Sequence, residues 1–114
     1  MFVSVCIIAY NEEKALPSLL SDIAKQTYSH KDIEVVLVDS MSTDKTKEIM
    51  TNFATQNNDF KSILVKDNPK RKQASGRNIA INSSKGDVII RIDAHTMIPK
   101  DFVEKNVHVI EGGE

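Results

Sequence analysis

Asp93-Ala94-His95 ends a short apolar run, Val88-Ile89-Ile90-Arg91-Ile92, and sets a carboxylate and an imidazole two residues apart. The run is rich in β-branched residues and reads as a buried strand. In an extended segment residues i and i+2 lie on the same side. Both groups therefore face one ligand or one metal ion. A carboxylate and an imidazole help to hold a divalent ion, with phosphate oxygens and water completing its shell. Such an ion stabilises the negative charge that develops on a departing diphosphate.

Other residues could serve the same chemistry. Asp39 ends the apolar run Ile33–Asp39. Its carboxylate either accepts hydrogen bonds from a nucleobase or ribose, or caps the turn that follows. Tyr10 offers a flat face to a base, or simply packs. Lys66, Lys70, Arg71, Lys72 and Arg77 form a basic cluster able to neutralise a diphosphate. Arg77 is the most pointed of these, because a guanidinium fork matches phosphate or a base carbonyl edge. Lys70 and Lys72 read as a solvated loop. No serine, histidine and acid have the positions of a nucleophilic triad. The Gly-rich dinucleotide fingerprint and the Walker lysine loop are both absent.

These residues need strands and turns to bring them together. Phe2 to Ala9 is nearly continuous apolar sequence, as in a strand covered on both faces. Ala15, Leu16, Leu19, Leu20 and Ile23 have helical spacing, with the regular helix starting near Pro17 and running to Gln26. Ile33–Asp39 is a second strand. A helix from about Asp44 to Ala54 follows, capped by Ser42 or Thr43, with Ile49, Met50 and Phe53 inward. Ser62 to Lys66 is a third strand. Gln73 to Asn82 is a helix with Ala74, Ile79, Ala80 and Ile81 as its apolar set, and Gly76 offers close backbone approach. The strand ending at Asp93 is the fourth. Pro99 to Ile110 is a last helix, and Gly112-Gly113-Glu114 a loose end.

Alternation of this kind predicts an α/β fold with a parallel sheet and helices on its faces. Right-handed crossovers put all the strand C-termini on one edge, where ligands of open α/β sheets bind. Ala9-Tyr10-Asn11, Asp39-Ser40, the basic loop and Asp93-Ala94-His95 should therefore converge.

Composition limits the alternatives. The 114 residues, 40% hydrophobic and 27% charged, suit one ordinary globular domain. A net charge of −1 gives no support to nucleic-acid binding. No run approaches the ~20 apolar residues of a membrane helix. Met1 to Tyr10 lacks a basic n-region and reads as a strand, not a signal peptide. The single cysteine, Cys6, excludes an intrachain disulfide and a cysteine zinc cluster. It reads as a buried thiol, which fits a reducing cytoplasm.

Four pieces in order resemble the nucleotide-binding half of a family 2 glycosyltransferase of the GT-A fold. They are Val3-Ser4-Val5-Cys6-Ile7-Ile8-Ala9-Tyr10-Asn11-Glu12, Val36-Leu37-Val38-Asp39-Ser40-Met41-Ser42-Thr43-Asp44-Lys45-Thr46, Ala74-Ser75-Gly76-Arg77-Asn78-Ile79-Ala80-Ile81 and Gly86-Asp87-Val88-Ile89-Ile90-Arg91-Ile92-Asp93-Ala94-His95. The pattern is similar to that of members acting in bacterial polysaccharide assembly, of the succinoglycan type, some of which have Asp-Ala-His here. The resemblance implies a Rossmann-like three-layer α/β/α arrangement, a partial GT-A fold, with strand order 3-2-1-4. It implies that residues 1–114 form the half that binds a nucleotide-diphosphate-sugar, a UDP-sugar foremost, for inverting transfer to an acceptor. Ala9 and Tyr10 would border the base, Asp39 would bind base or ribose, and Arg77 would lie near the base or diphosphate. Asp93 would touch the ribose or the metal shell. His95 stands where the family usually has its metal-binding acid, so Asp93 and His95 would hold Mn2+ or Mg2+. Neither Glu104 nor Glu111 matches the family's catalytic base in placement. Acceptor and base are therefore expected outside this chain, which reads as a piece of a longer protein and as inactive alone. The fourth strand would be an open edge, inviting self-association. A cytoplasmic location is expected, with the full-length protein at the inner face of a membrane. Two alternatives stay open: a nucleotidyltransferase-like enzyme, disfavoured by the acids of Tyr10-Asn11-Glu12-Glu13, and a receiver-like or other nucleotide-binding module with Asp39 as a phosphate acceptor.

Overall fold

A computed structural model describes residues 1–112. Gly113 and Glu114, part of the expected loose end, lie outside the described residues. The chain runs β1 (Val3–Ala9), α1 (Leu16–Ala24), a 3-10 turn (His30–Asp32), β2 (Ile33–Asp39), α2 (Thr46–Gln56), β3 (Ser62–Asp67), α3 (Gln73–Ser83), β4 (Val88–Arg91) and α4 (Phe102–Ile110). The sheet order is β3-β2-β1-β4 and every pairing is parallel. The expected order 3-2-1-4 is the observed one. Ala9 lies opposite Asp39, and Asp39 opposite Asp67, so three strands end in step.

The two-residue period of the strands divides the core. Val3, Val5, Ile7, Ala9, Ile33, Val35 and Leu37 pack on one face against Leu16, Leu19 and Ile23 of α1, Met50 and Phe53 of α2, and Val103 and Val107 of α4. Cys6, Val36 and Val38 pack on the other face against Ala80 of α3. β1 and β2 are thus covered on both sides, as their unbroken apolar runs require.

β4 departs from expectation. It spans only Val88–Arg91, and alternate residues are open, with Ile89 42% exposed. α3 is the only helix on its face among the described residues and sits over β1 and β2, leaving β4 unroofed there. Past Arg91 the chain stays extended by one further bond, Ile92 N–H to the Cys6 carbonyl at 2.9 Å. Ile92 and Ala94 are buried while Asp93 and His95 are exposed, but a turn pairs the two polar residues rather than the expected extended segment: the Thr96 N–H closes on the Asp93 carbonyl at 2.9 Å.

Other boundaries move for local reasons. α1 starts at Leu16 with Pro17 in its first turn, and ends at Ala24 rather than Gln26. The Gln26 side chain instead donates to the Pro99 carbonyl (2.8 Å) and accepts from the Val103 N–H (2.9 Å), tying α4 to α1. α4 begins at Phe102, because Pro99 closes a preceding turn by accepting from Phe102 N–H. α2 starts at Thr46, and neither Ser42 nor Thr43 caps it. In α3 the residues facing the sheet are Gly76 and Ala80, whereas Ala74 and Ile81 are exposed. The helix lies so close that a Cβ on Gly76 would come within 3.0 Å of Ile8 Cγ2 and 3.1 Å of Asn68 Nδ2. Small residues fit at that closest approach, and the expected Ile79 packs beside them against the same core.

At the sheet's opposite end, Glu34 is buried between strands. Its carboxylate accepts from Ser4 Oγ (2.6 Å), Ser62 Oγ (3.3 Å) and the Lys85 N–H (2.9 Å). The Gly86 N–H donates to Ser4 Oγ at 2.8 Å. These bonds anchor the start of β4 beside β1 and so set where Asp93 emerges.

Candidate functional site

The C-terminal ends of the strands open on one cavity of about 580 Å3. Ile8, Ala9, Tyr10 and Glu12 enter it from β1 and its loop, and Ser40 from the end of β2. Arg71, Gln73 and Arg77 come from the β3–α3 side, and Arg91, Ile92, Asp93 and His95 from β4 and its continuation. The convergence expected from topology is present for Ala9, Tyr10, Ser40, Arg71, Asp93 and His95, and not for Asp39 or the lysines of the basic loop.

Three loops at this edge turn through a left-handed residue: Asn11 (φ 51°), Met41 (φ 63°) and Arg71 (φ 62°). Such a conformation costs a non-glycine residue about 1–2 kcal/mol, with asparagine the most tolerant. Hydrogen bonds around each hold it in place. Asn11 N–H donates to Ser42 Oγ (2.9 Å), and Asn11 Oδ1 accepts from the Thr43 N–H (2.8 Å). Glu12 N–H donates to Thr46 Oγ1 at 2.8 Å. The residues expected to cap α2 are therefore spent clasping the β1 loop. Asp44 takes over near the helix start, accepting from the Thr46 N–H at 2.9 Å. Partial desolvation pushes the Asp44 carboxyl up, but the bonds from the Thr46 hydroxyl and backbone and from Glu13 outweigh it and hold the group below its ordinary value.

A second knot joins β2 to α3. Asn68 is fully buried. Its amide donates to Ser40 Oγ (3.1 Å) and the Lys72 carbonyl (2.9 Å), and its Oδ1 accepts from Ser75 Oγ (2.8 Å). The backbone follows suit, with Asn68 N–H on the Asp39 carbonyl and Arg71 N–H on the Asn68 carbonyl.

The expected residues divide. Tyr10 is 50% exposed and lines the cavity with Ala9, Arg77, Asp93 and His95. Asp39 does not line it. It is 3% exposed, and both carboxylate oxygens lie 3.3 Å from the Ser42 N–H, the turn-capping arrangement. Lys66, Lys70 and Lys72 are exposed outside the cavity wall. Asp93 Oδ1 accepts from the His95 N–H at 3.0 Å, holding the two residues in one turn.

Glu12 and Arg91 went unassigned by sequence reasoning. Glu12 Oε2 lies 2.7 Å from His95 Nε2, a polar contact between the β1 loop and the β4 end. Nothing in Tyr10-Asn11-Glu12-Glu13 tells which acid turns inward. Arg91 had a signal, since the period of two that pairs Asp93 with His95 reaches back to it.

The metal question can be put to the donor set. Among the described residues no three His, Cys, Asp or Glu side chains are placed to hold an ion together. Asp93 and His95 alone supply one carboxylate and one imidazole. That set fits a hard divalent cation whose remaining ligands are phosphate oxygens and water, and does not fit one caged by protein alone.

Comparison with known proteins agrees with this geometry. Residues 4–114 match the family model described as glycosyl transferase family 2. A relative from Methanococcus voltae, dolichyl N-acetyl-alpha-D-glucosaminyl phosphate 3-beta-D-2,3-diacetamido-2,3-dideoxy-beta-D-glucuronosyltransferase, is 32% identical over 96% of this chain. The chain spans 34% of that relative's length. The crystal structure of S. aureus TarS 1-349 superposes with TM-score 0.87 at 28% identity, covering 98% of this chain and 33% of that one. The same TarS fragment has a solved complex with UDP-GlcNAc. The mannosyltransferase PcManGT from Pyrobaculum calidifontis, solved with GDP-Man and Mn2+, superposes with TM-score 0.78 at 30% identity over 85% of this chain and 28% of its own. Motifs, strand order, cavity and matches together establish that the chain belongs to glycosyl transferase family 2 and has its GT-A type of fold.

Proposed function

We propose that this chain forms the donor-binding half of a glycosyltransferase that moves a sugar from a nucleotide diphosphate to an acceptor with inversion. The observation that carries this reading is the meeting of Tyr10, Arg77, Asp93 and His95 on one cavity at the strand ends. UDP-sugars are the favoured donors, given the UDP-GlcNAc complex of TarS. Tyr10 and Ala9 border the base. Arg77 meets the base or the diphosphate. Asp39, turned away from the cavity wall, acts on base or ribose only through a shift of the Ser40-Met41-Ser42 turn, and otherwise stiffens that turn.

In the reaction the acceptor hydroxyl forms a bond to the anomeric carbon as the bond from that carbon to the diphosphate oxygen breaks. The leaving diphosphate takes the electron pair, and the hydroxyl proton passes to a base outside this chain. Mn2+ or Mg2+, when bound, neutralises charge on the leaving diphosphate. Asp93 and His95 would hold the ion's protein side, His95 by exchanging its contact with Glu12 for the ion, and the turn between them keeps the two groups together. Preformed groups of this kind cost little reorganisation as charge develops. The acceptor groove and the base belong to the part of the protein beyond residues 1–114.

The open β4 edge favours association with another copy or with that further part. No described helix is long and apolar enough to cross a membrane. A place at the cytoplasmic face of a membrane suits a lipid-phosphate-linked acceptor like the one in the Methanococcus relative's name.

Calorimetry with UDP and GDP, each with and without Mn2+, tests the reading. Binding strengthened by Mn2+ is expected. No heat from either nucleotide at millimolar concentration would sink the donor assignment.

A further inference from the structure

Arg77 and Arg91 stand apart from the other cavity residues. They line the cavity described above and also a second, apolar one of about 250 Å3. Cys6, Ala80, Ile81 and Ile89 complete that second cavity. The two arginines, one from α3 and one from β4, thus form the partition between a polar and an apolar hollow. Among the described residues neither guanidinium has an ion pair. The two acids in that cavity wall both contact His95: Glu12 meets its imidazole, and Asp93 accepts from its N–H.

The β3–α3 side of that wall carries no acid. Gln73 opens α3 at the cavity, and no acidic residue occupies the helix's first turn. Arg71 lies on the same side. Arg77 and Arg91 are both exposed, as are Ile81 and Ile89 beside them, so the guanidinium groups are open to an arriving ligand. Two forks, one from α3 and one from β4 on the same cavity wall, match the oxygens of a diphosphate better than a single phosphate or a carboxylate.

We propose that Arg77 and Arg91 form a guanidinium clamp that binds the donor's diphosphate directly, in the absence of any divalent cation. The proposal rests on the donor reading for its ligand, and it names Arg91 as a binding residue. Its consequence is that metal ion and arginines share the diphosphate, so that removing the ion weakens nucleotide binding without abolishing it.

The test titrates inorganic pyrophosphate, UDP and uridine into 15N-labelled protein in EDTA, following the arginine Nε–Hε signals. Pyrophosphate and UDP should shift the Arg77 and Arg91 signals, and uridine should not. Arg91→Gln should weaken pyrophosphate and UDP binding by roughly tenfold, the loss of about one charge-assisted hydrogen bond. Arg91→Lys should recover part of it, since it keeps the charge and loses the fork. Arg77→Gln, on the other element, should give a loss of the same order and covers the case in which Arg91→Gln unfolds. Equal pyrophosphate affinity in wild type and Arg91→Gln overturns the clamp. So does UDP binding that appears only with Mn2+, a result that leaves the donor reading intact. Pyrophosphate binding without any response to UDP supports the clamp and overturns the uridine donor.

Discussion

Gly86→Ala is the sharpest perturbation the fold offers. A Cβ built there meets Ser4 N and Ser4 Oγ at 2.6 Å and the Val3 carbonyl carbon at 2.9 Å. Ordinary contact begins near 3.4 Å, so the backbone of β1 or of the α3–β4 turn must yield by about 0.8 Å. No flexible side-chain end can absorb that, because Ser4 N and Val3 are strand backbone. The displacement acts on the Gly86 N–H bond to Ser4 Oγ and the Lys85 N–H bond to Glu34. Overpacking costs about 1–3 kcal/mol. Loss of a hydrogen bond to a buried carboxylate adds about 1.5–3 kcal/mol. A destabilisation of about 3–5 kcal/mol follows, a large part of the ~5–15 kcal/mol typical of a domain. Urea unfolding is the assay. With a slope of about 1.5 kcal/mol/M, the midpoint should fall by about 2 M or more. Lys85→Ala is the control: its backbone donor survives, and its midpoint should match wild type within about 0.5 kcal/mol. A Gly86→Ala protein within about 1 kcal/mol of wild type would refute the close approach of this turn to β1.

Asn68→Ala should cost about 2–3 kcal/mol, since it removes a buried amide with bonds to Ser40, Lys72 and Ser75; urea melts check this, and a change under 1 kcal/mol would deny the knot. Gly76→Ala sets two effects against each other. Helix propensity favours alanine by about 1 kcal/mol, but the methyl would crowd Ile8 and the committed amide of Asn68. Overpacking of about 1–3 kcal/mol wins, so the variant should be less stable by about 1 kcal/mol, and a stabilised protein would contradict the packing. Asp59 supplies a pH test. Its hydrogen bond with His30 holds its carboxyl below the ordinary 3.8. A depressed folded value gives stability that is present above 3.8 and lost as pH falls through the lower folded value. Wild type should therefore melt above Asp59→Asn at pH 5, and the gap should close as the folded carboxyl takes its proton; a gap that persists at the lowest pH would rule out the linkage.

The parts of this fold readable in the sequence were those carried by periodicity. The unbroken apolar runs of β1 and β2 announce strands covered on both faces, and Leu16, Leu19, Leu20 and Ile23 announce the face of α1. The parallel sheet follows from alternation, and so does the meeting of Tyr10, Arg77, Asp93 and His95. What escaped was decided by contacts distant in sequence. Ser42 and Thr43 have good capping chemistry for α2, yet Asn11 of another loop competes for them and wins. Asp39 has the composition of a ligand-binding strand end, yet the Ser42 N–H turns it inward. α3 has apolar residues on several sides, and only the closeness of Ile8 selects the Gly76–Ala80 stripe. The Glu12–His95 contact joins residues 83 positions apart and leaves no local trace.

The clasp between the β1 and β2 loops and the Asn68 knot have a further consequence for how a ligand would be received. Three of the four walls are interlocked by backbone-to-side-chain bonds before anything arrives. The fourth, carrying Asp93 and His95, is joined to β1 by the strand pairing, the Ile92 N–H bond to the Cys6 carbonyl and the Glu12 contact, while its two polar side chains stand exposed. A ligand's end against the first three walls meets groups whose entropy was lost on folding. Its end against the fourth meets a backbone that is equally set, with only the exposed side chains left to order. The cost of ordering a bound ligand's surroundings should therefore fall on side chains such as Tyr10, Arg77 and His95 rather than on the loops that carry them.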